Sequence, residues 1–225
     1  MKIVPGRGPT VGIAVAALLV GTSANPPAGA TPPRVAAHAV VTSVTVVSAV
    51  PDMPRSYTLP LREQYQTTNY YCVPATTSMS LSTFGVKIGQ VALAKRMRTT
   101  IKGTGGDNAA SVMDAYLHPR RFDDRIVGDV VGHPDLLMQR VSYDVGSLRR
   151  APIIQVWMDK LPWNRGKLKD RWIGHAIIAY GYNQVAGTIT VFDPWRPTGG
   201  AHTLPARVLA GTLQNGAGMH YISRL

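Results

Sequence analysis

Four side chains in this sequence have the types and the spacing of a cysteine nucleophile with its supporting groups: Gln66, Cys72, His175 and Asp193. Cys72 is the only cysteine among 225 residues. In such a group a thiolate attacks a carbonyl carbon, an imidazole moves the proton and a carboxylate orients the imidazole. Gln66 precedes Cys72 closely enough to fold back and offer an amide N–H beside the sulfur. These residue types together indicate acyl transfer through a thioester.

Cys72 lies at the start of a predicted helix. Pro74 precedes a run without Gly or Pro, residues 75–84, and Gly85 closes that run. Proline favours the first turn of a helix and glycine the position just past its end. The unpaired N–H groups and the dipole of a helix N-terminus stabilise a thiolate. The alternative is a buried small hydrophobe, which many free cysteines are.

His175 and Asp193 lie in two predicted strands that a short connection joins. The strands cover residues 173–182 and 188–192, and a hairpin centred on Val185 pairs residues whose numbers sum to about 370. That register makes His175 and Asp193 diagonal neighbours on one face, within about 7–8 Å at the backbone. A carboxylate in this position holds the imidazole in one tautomer and stabilises its charged form.

Each of these side chains also has an ordinary structural interpretation. His175 is equally explained as a core histidine, Asp193-Pro194 as a turn and Gln66 as a surface residue. The joint arrangement favours catalysis, because the helix N-terminus, the hairpin and the spacing fit one mechanism. Trp163 and Trp195 are candidates for walls of the cleft, and core packing explains them equally well.

The elements that position these residues are mostly helical in the first half of the domain and mostly extended in the second, which indicates an α+β fold. The other predicted helices are residues 90–99, a helix from Asp107 or Asn108 to about Leu117, residues 134–145 and a short helical turn at 205–211. The other predicted strands are residues 56–61, 152–158 and 220–223. Residues 103–106 form a predicted turn, and residues 160–171 form a long basic loop.

The N-terminus has the composition of a secretory signal peptide. Lys2 and Arg7 precede an apolar run over residues 11–20, and Ala28-Gly29-Ala30 has the form of a signal-peptidase site. We predict cleavage after Ala30 and therefore a secreted, extracellular protein. In an oxidising compartment an unpaired cysteine is a liability, an intermolecular bridge or a residue kept for its reactivity. An uncleaved N-terminal anchor is the alternative to cleavage.

The rest of the chain is long enough for a single domain with a substantial core. We predict a signal peptide over residues 1–30, a linker or propeptide arm over 31–56 and one domain over 57–225. No later segment is apolar enough to cross a membrane, so we expect no stable membrane insertion after removal of the signal peptide.

Charge and histidine content exclude several classes of partner. The formal net charge is +12, which favours anionic partners in general. No basic run is interleaved with aromatic residues and no nucleic-acid motif is present, so we predict no nucleic-acid partner. The six histidines lack HExxH or close ligand pairs, so we predict no metal and no cofactor. A zinc hydrolase is therefore the weakest alternative.

The motifs together resemble those of a known peptidase family. Gln-x5-Cys-x-Pro-Ala, followed by Gly-His-Ala-Ile-Ile-Ala-Tyr-Gly-Tyr and Val-Phe-Asp-Pro-Trp, is similar to the papain-like cysteine peptidases of the bacteriocin-processing, double-glycine leader peptidase group. The resemblance extends over roughly residues 59–225 and is specific at these motifs. It implies a papain-like fold, with an N-terminal helical part packed on a C-terminal antiparallel β-sheet. It also implies a free-standing, exported bacterial enzyme that acts, as a monomer, on peptide or protein substrates.

The same resemblance implies a role for each candidate residue. Gln66 supplies an oxyanion-hole donor, Cys72 attacks, His175 acts as base and then acid, and Asp193 orients His175. The family usually has glycine after the cysteine, whereas this chain has Val73. Because the membrane and ATPase domains of transporter-linked members are not present in the sequence, we do not expect cleavage of double-glycine leaders.

Two other functional classes remain open at this point. A non-catalytic binding module on the same fold is one, because a fold does not fix a function. A slowly labelled thiol distinguishes that class. The other is a transglutaminase-like acyltransferase, which shares the order Cys, His, Asp but usually has tryptophan where this chain has Val73. Transfer of the acyl group to amines in place of water distinguishes it.

Overall fold

The fold is described by a computed structural model that covers residues 53–169 and 172–225. The predicted signal peptide and the arm up to residue 52 lie outside the described residues, as do two residues of the predicted basic loop. None of the described helices has the length and apolar character needed to cross a membrane. The described residues form helices and one antiparallel sheet, which confirms the α+β fold class.

Four of the five α-helices of the described residues lie before residue 143, and the fifth is short and lies near the C-terminus. Their bounds are α1 (Cys72–Ser82), α2 (Gln90–Arg96), α3 (Gly106–Leu117), α4 (Pro134–Ser142) and α5 (Ala206–Ala210). The predicted helices are all present, with ends displaced by a few residues. The main difference concerns α1, which begins at Cys72 itself, so the cysteine lies inside the first turn. Gly85, with φ +76°, follows the end of this helix, as the sequence predicts.

The strands form one antiparallel sheet. Their bounds are β1 (Ser56–Thr58), β2 (Phe122–Val127), β3 (Ile153–Trp157), β4 (Gly174–Asn183), β5 (Thr188–Asp193), β6 (Gly200–Pro205) and β7 (Met219–Arg224). The order across the sheet is β2-β7-β3-β4-β5-β6, and β1 pairs with β4 outside this path. Strand β4 therefore pairs with three others and lies at the centre of the domain.

Two hydrophobic clusters cover the two faces of the sheet. One joins α1, α2 and α3 to sheet residues such as Ile153 and Ala176. The other joins α4 and α5 to the next residues along the same strands, Ile154 and Ile177. Successive residues of a strand point to opposite faces. The three N-terminal helices and the two later helices are thus packed on opposite sides, and α1 contacts β4 directly.

Strands β4 and β5 form the hairpin that the sequence predicts. Ile178 pairs with Phe192 and Ala179 with Val191, which is the predicted register. Nearer the turn the register shifts by one residue at an irregularity between Ala179 and Gly181. The shift does not affect the pairing at the open end of the hairpin, so residues 175 and 193 are neighbours, as the sequence predicts.

Two strands are missing from the sequence-based prediction. Strand β2 carries Asp123, Asp124 and Arg125, and its polar composition hides its extended character. Its polar side chains form hydrogen bonds with residues that are distant in sequence, for example Asp124 with His220. The local sequence pattern does not predict such contacts. Strand β6 is an edge strand with an alternating, half-exposed pattern. Because of β2, the division into a helical and an extended half is less clean than predicted.

Candidate active site

The main chain around Cys72 leaves several donors near the sulfur. As the first residues of α1, Cys72 and Val73 have N–H groups without helical partners, whereas the N–H of Ala75 already bonds the Tyr71 carbonyl at 2.9 Å. The main-chain N–H groups of Val73 and of Ala176 in β4 favour the thiolate form and so act to lower the pKa of Cys72. The side chain of Cys72 is half-buried. The environment therefore stabilises a thiolate that reagents can still reach.

The first turn of α1 accommodates Val73 without distortion. Val73 is buried in the cluster formed with α2 and α3, so its branched side chain packs into the core. The hydroxyl of Thr76 donates to the carbonyl oxygens of Cys72 at 2.9 Å and of Val73 at 3.0 Å. These bonds fix the turn that carries the nucleophile.

His175 and Asp193 meet at the inner end of the β4–β5 hairpin. The distance from His175 Nε2 to Asp193 Oδ1 is 2.7 Å, and both side chains are buried. Cys72 and His175 line the same cleft, and the two side chains interact there. Because Nε2 bonds the carboxylate, Nδ1 is the ring nitrogen left for the thiol. The three side chains therefore follow one another in the order carboxylate, imidazole, thiol.

Asp193 is held by more donors than the imidazole alone. The main-chain N–H of Trp195 donates to Oδ1 at 2.8 Å, and the indole N–H of Trp163 donates to Oδ2 at 2.8 Å. The ring of His202 stacks on Trp163 with 3.7 Å between centroids and an interplanar angle of 2°. Trp163 thus helps to hold the Asp193 carboxylate in place. The sequence does not reveal this contact, because Trp163 lies in a predicted long loop.

The pKa shifts of the three groups agree in direction. Burial raises the pKa of the Cys72 thiol, but the hydrogen bond from His175 and the charge of that ring outweigh burial and lower it. Burial lowers the pKa of His175, but hydrogen bonds to Asp193 and Cys72 raise it to about 10. Burial also raises the pKa of Asp193, and its hydrogen bonds, foremost that from His175, lower it overall. All three shifts favour the charged forms, that is, a thiolate beside an imidazolium.

Gln66 lies in the loop before α1 and is buried. Its side-chain amide donates to the Thr68 carbonyl at 2.8 Å, which uses one of the two amide N–H groups. Among the hydrogen bonds of the described residues, none joins Gln66 to Cys72. The main-chain N–H of Gln66 donates to the Pro194 carbonyl at 2.9 Å. The loop that carries Gln66 is therefore tied to the segment that follows Asp193.

A second glutamine, Gln90, anchors the same loop. Its side-chain oxygen accepts the N–H of Thr67 at 3.0 Å. Its side-chain nitrogen donates to the carbonyl of Tyr65 at 2.9 Å and to the side chain of Gln64 at 3.0 Å. Sequence reasoning missed this buried side chain, because the start of α2 carries no motif that points to the loop before α1.

A cleft opens onto Cys72 and His175. Its volume is about 270 Å³, and it is lined by residues from four separate parts of the chain: Asn69, Tyr70, Cys72, Ile101, Lys102, Gly103, Met158, Leu168, Ile173, Gly174, His175 and Trp195. Of the two tryptophans considered as walls, Trp195 lines the cleft, whereas Trp163 lies behind Asp193.

Three residues outside the cleft bring potential metal-ligand atoms close together. Asp114, His118 and Asp123 bring ligand atoms within 4.8 Å of one another. Their oxygens already have partners, since Asp123 bonds both His118 and Arg125 and Asp114 accepts the N–H of Asp124. None of the three lines the cleft. We interpret the group as a surface charge cluster.

Comparison with known proteins gives a family match for the N-terminal half of the domain. Residues 58–128 match the model of the Peptidase_C39 like family. The matched stretch contains Gln66 and Cys72 and ends before His175 and Asp193. No curated protein matches the chain.

A search of solved structures gives matches of low sequence identity. The peptidase domain of Streptococcus ComA, a bifunctional ABC transporter of a quorum-sensing pathway, is 15% identical and covers 72% of this chain and 95% of its own, with a TM-score of 0.48. A double-glycine-motif protease from an AMS/PCAT transporter, solved with a leader peptide, is 12% identical, with 75% and 94% covered and a TM-score of 0.49. A C39-like peptidase from Bacillus anthracis is 13% identical, with 72% and 94% covered and a TM-score of 0.49.

Proposed function

We propose that the protein is a cysteine peptidase of the papain-like type. The match of residues 58–128 to the peptidase C39-like family supports this proposal, and the sequence motifs predict the same likeness. The observation that carries this proposal is that Cys72 and His175 line one cleft while a buried hydrogen bond joins His175 to Asp193 behind it. In the proposed triad Cys72 is the nucleophile, His175 the general base and acid, and Asp193 the orienting group.

The proposed reaction is hydrolysis of a peptide bond in two steps. The Cys72 thiolate attacks the carbonyl carbon, and the His175 imidazolium gives its proton to the leaving amine as the C–N bond breaks. Water then attacks the thioester while His175 accepts a proton, and the product acid leaves with the C–S bond broken. The thiolate and the imidazolium are thereby restored.

The developing oxyanion needs donors that point into the cleft. We assign this role to the main-chain N–H of Cys72 and to the second amide N–H of Gln66, the one not bonded to Thr68. One such donor is worth about 10²–10³ in rate. The hydrogen bond between the Gln66 main chain and Pro194 supports the role, because it couples the position of this loop to that of the triad.

Export and oligomeric state belong to the same proposal. We propose that the signal peptide is removed after Ala30 and that the enzyme acts outside the cell, as a monomer, on peptide or protein substrates. Mass spectrometry of the secreted protein tests the first part. An N-terminus at Thr31 supports it, and an intact N-terminus on secreted protein contradicts it.

The decisive experiment compares the wild-type protein with Cys72→Ala. We expect wild-type protein to cleave an unfolded protein substrate such as reduced casein, and Cys72→Ala to lose this activity while its thermal unfolding is unchanged. Hydrolysis by Cys72→Ala at the wild-type rate would exclude the assignment. Incorporation of an added primary amine into the product, in place of water, would indicate an acyltransferase.

Alkylation of the single cysteine tests the site without a substrate. We expect iodoacetamide to label wild-type protein quickly from about pH 4 to about pH 10, since the lowered thiol pKa and the raised imidazole pKa bracket the ion pair. In His175→Ala the fast labelling at low pH is lost. Labelling that rises only near about pH 8.5, alike in both proteins, would favour a non-catalytic binding module.

A further inference from the structure

Two segments form the mouth of the cleft, and each carries an exposed apolar side chain. One is the turn at residues 100–103, where Ile101 is 81% exposed and lines the cleft. The other is the described part of the basic loop, residues 160–169, together with Trp172, which is 58% exposed and directly precedes the cleft residue Ile173. Single exposed apolar side chains are common on protein surfaces. Here two of them lie at one opening, on segments that the fold holds in place.

The exposed position of Trp172 is fixed by several contacts. Its backbone has φ +60°, a left-handed conformation that residues other than glycine adopt rarely. Its main-chain N–H donates to the side chain of Asp159 at 2.9 Å. Its ring lies edge-to-face with that of Trp157, with the centroids 5.3 Å apart, and Nζ of Lys160 is 4.4 Å from its centroid. The fold therefore maintains an indole ring in contact with water.

The turn that carries Ile101 is ordered as well. Thr100 and Gly103 exchange two main-chain hydrogen bonds, of 3.0 Å and 2.9 Å. The main-chain N–H of Lys102 donates to the Thr100 hydroxyl at 3.1 Å. A partner that contacts Ile101 therefore does not have to order this turn, which lowers the entropic cost of binding.

Positive charge surrounds both apolar side chains. Residues 160–171 contain five cationic side chains and one carboxylate. The four cations in the described part of this loop are exposed: Lys160, Arg165, Lys167 and Lys169. On the other side of the mouth, Lys102 is exposed and lines the cleft beside Ile101. Since no carboxylate is found among the described residues that line the cleft, the mouth attracts anionic surfaces.

The basic loop is anchored to the domain through Asn164, which is buried. Its side-chain nitrogen donates to the carbonyl of Met158 at 3.1 Å, and its side-chain oxygen accepts the hydroxyl of Thr198. Its main-chain carbonyl accepts the N–H of Lys167 at 2.9 Å. The main chain that carries the cations therefore has a fixed position relative to the cleft.

We infer that the mouth of the cleft is a membrane-docking surface, which binds bilayers with anionic head groups and places Ile101 and Trp172 in the interface. Indole rings favour the head-group region, and aliphatic side chains favour the boundary with the acyl chains. Each Lys or Arg close to an anionic bilayer strengthens binding about fivefold. The inference goes beyond the proposed peptidase function and does not depend on it.

The combination of side chains favours a bilayer over other anionic partners. An anionic polysaccharide or a nucleic acid pairs with the cations but offers no aliphatic environment for Ile101. A bilayer removes Ile101 and the ring of Trp172 from water while its head groups meet the cations. This binding is peripheral, as expected for a chain without stable membrane insertion after removal of the signal peptide.

The test measures co-sedimentation of the secreted protein with lipid vesicles. Vesicles of equal parts phosphatidylglycerol and phosphatidylcholine are compared with vesicles of phosphatidylcholine alone. We expect binding to the anionic vesicles only, and we expect it to weaken as salt is added, because salt screens the head-group charge. All variants share the N-terminus of the secreted form, so differences between them report the docking surface.

Two double variants remove the apolar and the cationic parts separately. The first is Ile101→Asn with Trp172→Asn, because asparagine tolerates the left-handed backbone at position 172. We expect it to bind anionic vesicles about tenfold more weakly, or less, than wild type does. The second is Lys167→Gln with Lys169→Gln, for which we expect binding about thirtyfold weaker than that of wild type.

Matched controls make the same changes away from the mouth of the cleft. Val185 is 77% exposed in the connection between β4 and β5, at the opposite end of the hairpin from His175, and Val185→Asn is the apolar control. Arg62 and Lys87 are exposed beside a different pocket, and Arg62→Gln with Lys87→Gln is the charge control. We expect both controls to bind anionic vesicles nearly as well as wild type.

Three results would overturn the inference. The first is wild-type protein that does not bind anionic vesicles, and the second is an equal loss of binding in the variants and their controls. The third is a loss confined to the lysine variant, because adsorption by charge alone fits an anionic polymer. Peptide hydrolysis in solution measures the proposed function separately. Protein that docks as expected but cleaves no peptide retains the inference and loses the peptidase assignment.

Discussion

The domain contains two buried histidine–aspartate pairs with the same separation, and only one of them lies beside a nucleophile. His175 and Asp193 are 2.7 Å apart, and so are His220 and Asp124. In both pairs each side chain is buried. The comparison shows that a buried histidine–aspartate pair alone does not make a reactive site. The pair of His220 and Asp124 is called the inner pair below.

The difference lies in the second nitrogen of each ring. In His175 the free nitrogen faces the Cys72 thiol at the cleft, whereas in His220 it faces the side-chain nitrogen of Gln155 at 3.1 Å. An amide occupies the place that a thiol occupies in the other pair. His220 therefore joins β7 to its neighbours in the sheet, while His175 is left able to exchange a proton with a group that meets solvent.

The electrostatic surroundings differ as well. Asp144 lies near Asp124, and burial, together with the charge of Asp124, raises the pKa of Asp144 well above its usual range. Burial therefore favours the protonated form of this carboxyl group, which accepts the N–H of Ile222. The pair of His220 and Asp124 thus has a second carboxyl group beside it, whereas Asp193 has an indole donor, Trp163.

The same substitution in both pairs gives the largest expected contrast. Asp193→Asn removes the charge that stabilises the imidazolium, so we expect peptide hydrolysis to fall by about 10³–10⁴. Asp124→Asn leaves the triad untouched and removes a buried charged hydrogen bond, so we expect a loss of about 1–3 kcal/mol in the free energy of unfolding and little change in rate.

Rates of hydrolysis and urea unfolding curves of both variants measure this contrast. Equal losses of rate and of stability in Asp193→Asn would make Asp193 a structural residue. A large loss of rate in folded Asp124→Asn protein would mean that the inner pair is coupled to the site.

Trp163→Phe tests the contribution of the indole N–H that donates to Asp193. The change removes the hydrogen bond to Asp193 but keeps an aromatic ring for His202, and we expect hydrolysis to slow about tenfold. Because that bond lowers the pKa of Asp193, its loss also moves the acid limb of the pH–rate profile to higher pH. The pH–rate profile from pH 4 to 8 measures both the slower hydrolysis and the displaced acid limb. The expected tenfold loss of rate is about the value of one lost hydrogen bond.

Trp157→Phe is the matched control for this prediction. The indole N–H of Trp157 is buried without a hydrogen-bond partner, so its removal breaks no such contact. The prediction is wrong if Trp163→Phe and Trp157→Phe both slow hydrolysis to the same extent and neither shifts the pH–rate profile. In that case the packing of the tryptophan rings affects the rate and the indole hydrogen bond does not.

Asp144→Asn gives the smallest effect and addresses the inner pair. A carboxyl group with a raised pKa contributes stability that is fully present below its unfolded pKa and is lost as pH rises through its folded pKa. The amide is neutral at every pH, so we expect Asp144→Asn to melt a few degrees above wild type at about pH 8, with the gain vanishing near about pH 4.

Thermal melts across this pH range measure the gain. Asp135→Asn, at an exposed position on α4, controls for the loss of one negative charge. A melting temperature lowered equally at all pH values in Asp144→Asn would show that the carboxyl group is ionised in the folded protein.

The sequence was sufficient where the relevant contacts are local. Pro74 and Gly85 flank α1 and place Cys72 at its N-terminus, and a short connection joins the two strands that carry His175 and Asp193. Both predictions follow from rules that act within a few residues, and the structure agrees with both.

The inner pair was not predictable, because its partners are far apart in sequence. Asp124 and His220 are 96 positions apart and meet only through the pairing of β2 with β7. A strand with two adjacent aspartates looks unfavourable until the histidine that forms a hydrogen bond with one of them is in place. The contact of Trp163 with Asp193 has the same origin, since a loop residue reaches a strand end through tertiary folding alone.

The position of β7 also has a consequence for biosynthesis. This strand lies between β2 and β3 in the sheet although it comes after both in the chain. During folding, β2 and β3 therefore have unpaired edges until β7 pairs with them, and non-local pairing of this kind is slow. Cys72, His175 and Asp193 all precede β7 in the chain. The candidate site is thus fully supported only late in folding, when the last strand has entered the sheet.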